Sequence, residues 1–217
     1  MLSRSYPLIA KEGWGILFLL FAVAAIAFFM GYTKLSMAVV PLIAAVGFLF
    51  RDVKRKIPPR PMGVVSPVDG TIISITRDVL DPIRAEDSTH FKIRMFTLGG
   101  YAIHCPIEGK IKKMEASVAE RPGIINAFQL STDEQDDIVV VLTGGVRSIP
   151  RLYLQPGHRV AHGQRCGFYF MGVEADIYVP GNSRIEIKEG KKVSAGETIL
   201  ATLIHNETIS GITGQVV

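Results

Sequence analysis

The chain has 217 residues, and 48% of them are hydrophobic, which excludes an intrinsically disordered protein. Only two cysteines occur and no Cys-x-x-Cys pair is present, so a disulfide scaffold is excluded and no metal site is predicted. Residues 1–60 hold eight basic and two acidic residues, whereas residues 61–217 hold 16 basic and 18 acidic. The main part of the chain therefore lacks the basic bias of a nucleic-acid-binding protein.

The N-terminal part of the chain predicts a hydrophobic helical hairpin at residues 13–50. Residues 13–33 contain no charged residue, and residues 35–50 continue the apolar run after Lys34. At about 1.5 Å per residue, the first run makes a helix of about 31 Å and the second one of about 24 Å. The first matches the roughly 30 Å hydrocarbon core of a bilayer, while full spanning by the second stays open. A cleaved signal peptide is less favoured because the second apolar run follows at once.

Basic residues flank the hairpin on its outer sides. They lie in residues 1–12 and in a Pro-rich linker at residues 51–61. The positive-inside rule therefore predicts that both ends are cytoplasmic, with the following domain on the cytoplasmic side of the cell membrane. Four cations of the linker are predicted to contact anionic phospholipid headgroups, namely Arg51, Lys54, Arg55 and Lys56.

Residues 62–217 predict a single β domain, because short β-rich runs alternate with Gly and Pro. One short helix is predicted near residues 123–129. The two histidines of PGHRVAHG, His158 and His162, lie among helix-breaking residues and predict a turn rather than a metal site. The predicted strands are at 64–65, 71–75, 91–96, 111–114, 138–142, 175–179, 185–187 and 199–204.

Two internal repeats refine the predicted fold. SPVDGTI (66–72) resembles CPIEGKI (105–111), and PGHRVAHGQRCG (156–167) resembles EGKKVSAGETIL (189–200). The pattern resembles the barrel-sandwich hammerhead of biotinyl and lipoyl domains. The MKM and DKA triplets of those carriers are absent, so a swinging-arm carrier is not predicted. The predicted fold class is mainly β, a barrel-sandwich-hybrid-like β domain preceded by an N-terminal hydrophobic α-helical hairpin.

A series of motifs resembles the short, membrane-anchored phosphatidylserine decarboxylases of prokaryotes. The series is KEGW (11–14), the apolar hairpin, Phe50-Arg51-Asp52, SPVDGTI, HCPIEGKI, GQRCGFYF and DIYVP, and it covers residues 11–204. The resemblance implies conversion of phosphatidylserine to phosphatidylethanolamine and CO2. It also implies a pyruvoyl cofactor, which the family makes by cleaving its own chain before a serine that follows a glycine. The pyruvoyl carbonyl accepts the electrons that the departing CO2 leaves behind.

The chain departs from the family pattern at the cleavage site. The family reads Gly-Ser-x-x-Asp-Val-Tyr-Leu-Pro, whereas this chain reads MGVEADIYVP, which places Gly172 before Val173. Valine has no hydroxyl, so no pyruvoyl cofactor is expected. The self-processing aspartate matches Asp69, but the histidine position holds Tyr101, and His104 follows three residues later. In a strand, this offset places the Tyr101 and His104 side chains on opposite faces.

The resemblance therefore implies an unprocessed phosphatidylserine-decarboxylase-like protein of phosphatidylethanolamine metabolism. Its lipid-facing pocket would include Asp69, Tyr101, His104 and the Gly172–Glu174 segment, and its partner would be a membrane phospholipid. An active decarboxylase and a membrane-tethered β adaptor stay open as alternatives, as does a homo-oligomer. Asp69 could also be purely structural, because Asp-Gly pairs are common in turns and Glu108-Gly109 repeats the pair.

Overall fold

The computed structural model describes residues 10–51, 55–60, 62–83, 85–97, 100–115 and 124–204. Two antiparallel helices come first, α1 at Lys11–Phe29 and α2 at Thr33–Leu49. The turn between them contains Gly31, whose φ of 83° is a left-handed value that glycine adopts without strain. The predicted helical hairpin is confirmed.

The surface of the hairpin is almost entirely apolar and exposed. α1 has 19 residues and is strongly apolar, and its length and composition fit a membrane-spanning helix. α2 is shorter, at 17 residues, and contains Pro41. Neither helix is covered by the rest of the chain as the core helix of a soluble protein would be, since large side chains such as Phe18 and Phe29 are exposed.

The remainder of the described chain is built from antiparallel strands, as the mainly β prediction expected. The strands are β1 Gly63–Val65, β2 Gly70–Leu80, β3 Asp87–Met95, β4 Ala102–His104, β5 Gly109–Glu115, β6 Ile124–Ser131, β7 Asp137–Leu152, β8 Arg159–Val160, β9 Arg165–Pro180, β10 Arg184–Ile185, β11 Lys192–Val193 and β12 Ile199–Thr202.

The strands form two sheets around a common apolar core. The smaller sheet has the order β1-β12-β10, and the larger has the order β11-β2-β3-β9-β7-β6-β5-β8, with β4 added to β9. The two longest strands, β7 and β9, pair with each other at the centre of the larger sheet. β9 also pairs with β3 and β4, so it adjoins the residues at the base of the hairpin.

The short helix predicted near residues 123–129 is wrong. Residues 124–131 form β6, which pairs in continuous register with β7 from Ile124↔Gly144 to Ser131↔Asp137. Phe128 packs into the main core, while its neighbour Ala127 is buried on the other face of the sheet. A strand that is buried on both faces has no alternation of polar and apolar residues, so its sequence can be mistaken for a helix.

The repeated Pro-x-acid-Gly motifs lie face to face and exchange hydrogen bonds. The N–H of Val65 donates to the carbonyl of Pro106 at 2.8 Å, and the N–H of His104 donates to the carbonyl of Pro67 at 2.9 Å. Val65 and His104 occupy the same position in their respective repeats. The repeat therefore corresponds to two equivalent turns that support each other.

The glycine of each repeat is required by a close approach of backbone. A Cβ on Gly70 would lie 2.3 Å from the carbonyl oxygen of Arg94, and one on Gly109 would lie 2.2 Å from that of Ser131. No side chain could relieve either contact, because the clashing atom is backbone. The two glycines fix the starting points of β2 and β5, and hence the position of the acidic residue before each.

Candidate functional site at the base of the hairpin

The hairpin is attached to the β domain by an aromatic stack. The ring of Phe50, directly after α2, lies parallel to the rings of Phe168 and Phe170 on β9, with centroid separations of 5.7 Å in both cases. Tyr101 meets both β9 rings edge-on. Phe50 is only 7% exposed, so the end of α2 is buried in the β domain.

A buried ion pair and a backbone hydrogen bond support the same junction. Glu12 in the first turn of α1 accepts a hydrogen bond from the Arg165 guanidinium at 3.2 Å, and both side chains are largely buried. The N–H of Ala10 donates to the carbonyl of Phe50 at 2.8 Å, which joins the two ends of the hairpin. The hairpin is thus positioned by the β domain at both of its ends.

Asp69 lies beside this junction, at the turn before β2. Its Oδ1 accepts a hydrogen bond from the N–H of Ala195 at 2.7 Å, and its Oδ2 accepts one from the Arg55 guanidinium at 2.5 Å. Burial raises the pKa of Asp69, while the Ala195 N–H and the charge of Arg55 act in the opposite direction. The guanidinium of Arg55 also lies 3.7 Å from the carboxylate of Glu197, so it pairs with both Asp69 and Glu197.

The acidic residue of the second repeat has a different environment from that of Asp69. Glu108 is the counterpart of Asp69, and it is exposed, with its side chain paired to Arg159 at 3.2 Å on the surface. Asp69 is buried and is held by a backbone N–H that comes from a different part of the chain. The burial and hydrogen bonding of Asp69 are therefore not explained by its place in the turn alone.

His104 lies close to Asp69 but does not contact it through any described hydrogen bond. A Cβ on Gly196, next to Ala195, would lie 3.3 Å from Cδ2 of His104, so both side chains lie against residues 195–196. Burial lowers the pKa of His104 to about 4, and the charges of Arg55 and Arg165 add to this effect. Its Nδ1 is buried and has no hydrogen-bond partner in the described part of the chain. At neutral pH, His104 is an uncharged side chain.

The lowered pKa of His104 predicts a loss of stability in acid. The folded-state pKa of about 4 lies below the ordinary 6.5, so the stabilisation is complete above pH 6.5 and is lost as the pH falls toward 4. At pH 5 we expect a loss of about 2 kcal/mol from this group. Urea titrations in detergent at pH 7 and pH 5 measure the loss, and the His104→Gln variant should lack that component. An equal acid-induced loss in both proteins would contradict the assignment.

Tyr101, at the family's histidine position, is buried against the hairpin junction. Its hydroxyl donates to the carbonyl of Thr97 at 2.6 Å, and its ring contacts Phe168 and Phe170. Gly100 precedes it with a φ of 74°, and a Cβ at that position would lie 2.2 Å from Oδ2 of Asp69. Tyr101 therefore packs its ring against the hairpin junction, while the glycine before it lies against Asp69.

Gly172 and Val173 lie on β9, at a break in its pairing with β7. The register shifts between Gly144↔Gly172 and Ile149↔Phe170, and Met171 has a φ of 52°, which is rare for a residue with a side chain. Ser148 donates a hydrogen bond to the carbonyl of Met171 and accepts one from the N–H of Gly145. A Cβ on Gly172 would lie 2.5 Å from the sulfur of Met95 and 2.6 Å from Cδ1 of Tyr169, so a side chain there would require both neighbours to move.

The structure brings some of the predicted site residues together and separates others. Asp69, Tyr101 and His104 form one cluster around Gly100 and residues 195–196. Val173 lies on β9, which is separated from β2, the strand that follows Asp69, by β3. The sulfur of Met95, at the end of β3, lies against Gly172, and the N–H of the next residue, Phe96, donates to the carbonyl of Asp69 at 3.1 Å. Glu174 points away from the cluster to Lys92, whose Nζ is 3.0 Å from its carboxylate.

The predicted lipid-binding cations occupy different surroundings. Arg51 is exposed and its guanidinium lies over the ring of Phe48, and Lys56 is also exposed. Lys54 lies outside the described residues. The guanidinium of Arg55 is directed to Asp69 inside the protein rather than to the surface. Sequence reasoning did not anticipate this contact, nor the Glu12–Arg165 pair, because neither leaves a local pattern.

These features define a class of protein: a β domain with an internal repeat, bound firmly to an apolar helical hairpin, with a buried carboxylate–guanidinium pair beside the junction. The family model described as phosphatidylserine decarboxylase matches residues 42–201. The chain belongs to the phosphatidylserine decarboxylase family, whose substrate is a membrane phospholipid.

The relatives of the chain match it over almost its whole length. It is 31% identical to a phosphatidylserine decarboxylase proenzyme of Paraburkholderia xenovorans, over 93% of this chain and 100% of that protein. It is 29% identical to one of Burkholderia cenocepacia, over 93% and 99%. Among solved structures it resembles the glucose permease IIA from Mycoplasma capricolum, with 18% identity, a TM-score of 0.43, and coverage of 64% of this chain and 93% of that one. At that score the likeness establishes neither a shared fold nor a shared activity.

Proposed function

We propose that this protein is a membrane-anchored member of phospholipid metabolism that remains one unprocessed chain and has lost decarboxylase activity. The observation that carries the proposal is Val173, which stands where the family's self-cleavage needs a hydroxyl. In this proposal the hairpin anchors the chain in the cell membrane, the β domain lies on the cytoplasmic side, and the bound partner is a membrane phospholipid. The basic flanks of the hairpin support that orientation.

The surroundings of Val173 do not fit a pyruvoyl cofactor. The valine itself cannot supply the ester from which that group is made. The hydroxyl of Ser148 is nearby, but it is engaged by the Met171 carbonyl and the Gly145 N–H. The proposed protein therefore carries no pyruvoyl cofactor.

The self-processing residues also support a lapsed site. Asp69 is paired with Arg55 instead of a histidine, and the family's histidine position holds the buried ring of Tyr101. His104 is uncharged at neutral pH, and its ring lies against Gly196. Both oxygens of Asp69 already have partners, Oδ1 the N–H of Ala195 and Oδ2 the guanidinium of Arg55, so the carboxylate is part of a buried ion pair.

The mass of the purified chain tests the proposal. We expect one species at 23.7 kDa and no release of CO2 from phosphatidylserine vesicles. The Val173→Ser variant should also stay intact, because Asp69 and Tyr101 are unchanged in it. Two fragments divided between Gly172 and Val173 in the native protein, or hydroxylamine-sensitive decarboxylation, would instead favour an active enzyme.

A further inference from the structure

The segment of β9 around Gly172 carries an exposed apolar patch next to the hairpin. Phe96, Met171 and Val173 are 37%, 39% and 46% exposed. Met171 and Val173 flank Gly172, and Phe96 follows Met95, whose sulfur lies against Gly172. We name these three residues the β9 patch. Exposed apolar side chains that cluster in this way mark contact surfaces.

The β9 patch directly follows a residue that attaches the hairpin to the β domain. Phe170 directly precedes Met171, and its ring stacks on Phe50 at the end of α2. A bilayer that surrounds α1 and α2 would therefore end close to the patch. The exposed cations Arg51 and Lys56, just after α2, are placed to meet the headgroups at this level.

The backbone of the patch is suited to a surface with little water. The break in β-pairing at Met171 would leave polar groups without ladder partners, which is costly near lipid. The hydroxyl of Ser148 compensates for this by bonding the Met171 carbonyl and the Gly145 N–H at once. The turn thus presents apolar side chains outward while its hydrogen bonds are made internally.

We infer that the β9 patch contacts the interfacial layer of the bilayer and holds the β domain against the membrane surface. This inference rests on the membrane anchoring in the proposed function, but not on the loss of decarboxylase activity. Val173 gains a role in it: a valine at this position adds apolar contact with lipid where a serine would add a polar group. Patch insertion is modest in energy, since each side chain is already partly buried.

Tryptophan quenching by brominated lipid tests the inference. Trp14 in α1 is the only tryptophan, so Trp14→Phe provides a silent background for Phe96→Trp and, separately, Val173→Trp. Both positions are partly exposed, and circular dichroism confirms folding. The variants are reconstituted in phosphatidylcholine and phosphatidylglycerol vesicles brominated near the top of the acyl chains. We expect loss of emission from both.

The matched control is Leu80→Trp in the same background. Leu80 is 60% exposed and lies beside the Pro180 end of β9, about 26 Å along the strand from Gly172 at about 3.3 Å per residue. Its emission should be retained. If native Trp14 is quenched while Phe96→Trp and Val173→Trp are not, the inference is wrong and the anchoring stands. If Trp14 itself is unaffected, the anchoring fails and the inference fails with it.

Discussion

Replacing Arg55 by methionine is expected to destabilise the folded chain by about 3 kcal/mol or more at neutral pH. The substitution keeps most of the apolar stem but removes the only guanidinium that contacts Asp69 among the described residues. Asp69 would then be a buried carboxylate with one N–H donor and no counter-charge. Such a group costs more than the ion pair contributed, because the desolvation of the charge is no longer compensated.

The destabilisation caused by Arg55→Met should depend on pH in the way expected for the titration of Asp69. Its folded-state pKa is raised from 3.8, so native stability declines as the pH rises from 3.8 through the folded value. Removing Arg55 raises that pKa further, because the charge of Arg55 lowers it in the native protein. The difference between native and variant should therefore shrink as acid neutralises Asp69. Removing Arg55 also raises the pKa of His104, because the charge of Arg55 lowers it in the native protein, so the comparison is made in the His104→Gln background.

Two variants make the test specific, with urea titrations in detergent as the measurement. The double variant Arg55→Met with Asp69→Asn should recover most of the loss, since no buried charge remains. Arg159→Met removes the guanidinium from Glu108, the counterpart of Asp69 in the second repeat, and should change little because that pair is fully exposed. An equal loss of stability in Arg159→Met, or no loss in Arg55→Met, would show that the buried Arg55–Asp69 pair does not stabilise the fold.

Replacing Phe50 by alanine is expected to cost about 3–5 kcal/mol, the range for a buried phenylalanine. The change removes both stacked contacts, to Phe168 and Phe170, and leaves a cavity beside Tyr101. The loss should appear as detachment of the hairpin, so cleavage within the linker at residues 51–60 by a soluble protease should accelerate. Limited proteolysis and urea titration of the same sample measure the two effects.

Phe18→Ala is the control for this substitution. Phe18 is on α1 and is 78% exposed, so it contributes to the outer surface of the hairpin and not to the junction. Its removal should leave linker cleavage unchanged. Faster cleavage in Phe18→Ala, or normal cleavage in Phe50→Ala, would mean that the aromatic stack does not hold the hairpin in place.

The sequence predicted those parts of the structure that depend on local pattern. Charge-free runs define α1 and α2, and alternation with Gly and Pro defines most of the longer strands. The same reasoning wrongly predicted a helix near residues 123–129, because β6 is buried on both faces and shows no alternation. The Pro-x-acid-Gly repeat was visible in the sequence, and its two copies make reciprocal hydrogen bonds in the structure.

The site was only partly predictable because its contacts join distant parts of the chain. Asp69, Tyr101 and His104 were found through the family resemblance, but the partner of Asp69 was not. Arg55 was interpreted as a lipid-facing cation since it lies among other cations, and a composition pattern cannot single out one guanidinium that turns inward. Glu12 and Arg165 are 153 residues apart, and nothing near either residue indicates the other.

That separation in sequence has a consequence for the order of assembly. Translation at about 5–20 residues per second takes roughly 8–30 seconds to proceed from Glu12 to Arg165. During that interval α1 and α2 are complete, while β9, the surface that will receive Phe50, has not been made. The new hairpin must therefore form while the Glu12 carboxylate is still hydrated. That carboxylate becomes buried only later, when Arg165 has been made and pairs with it.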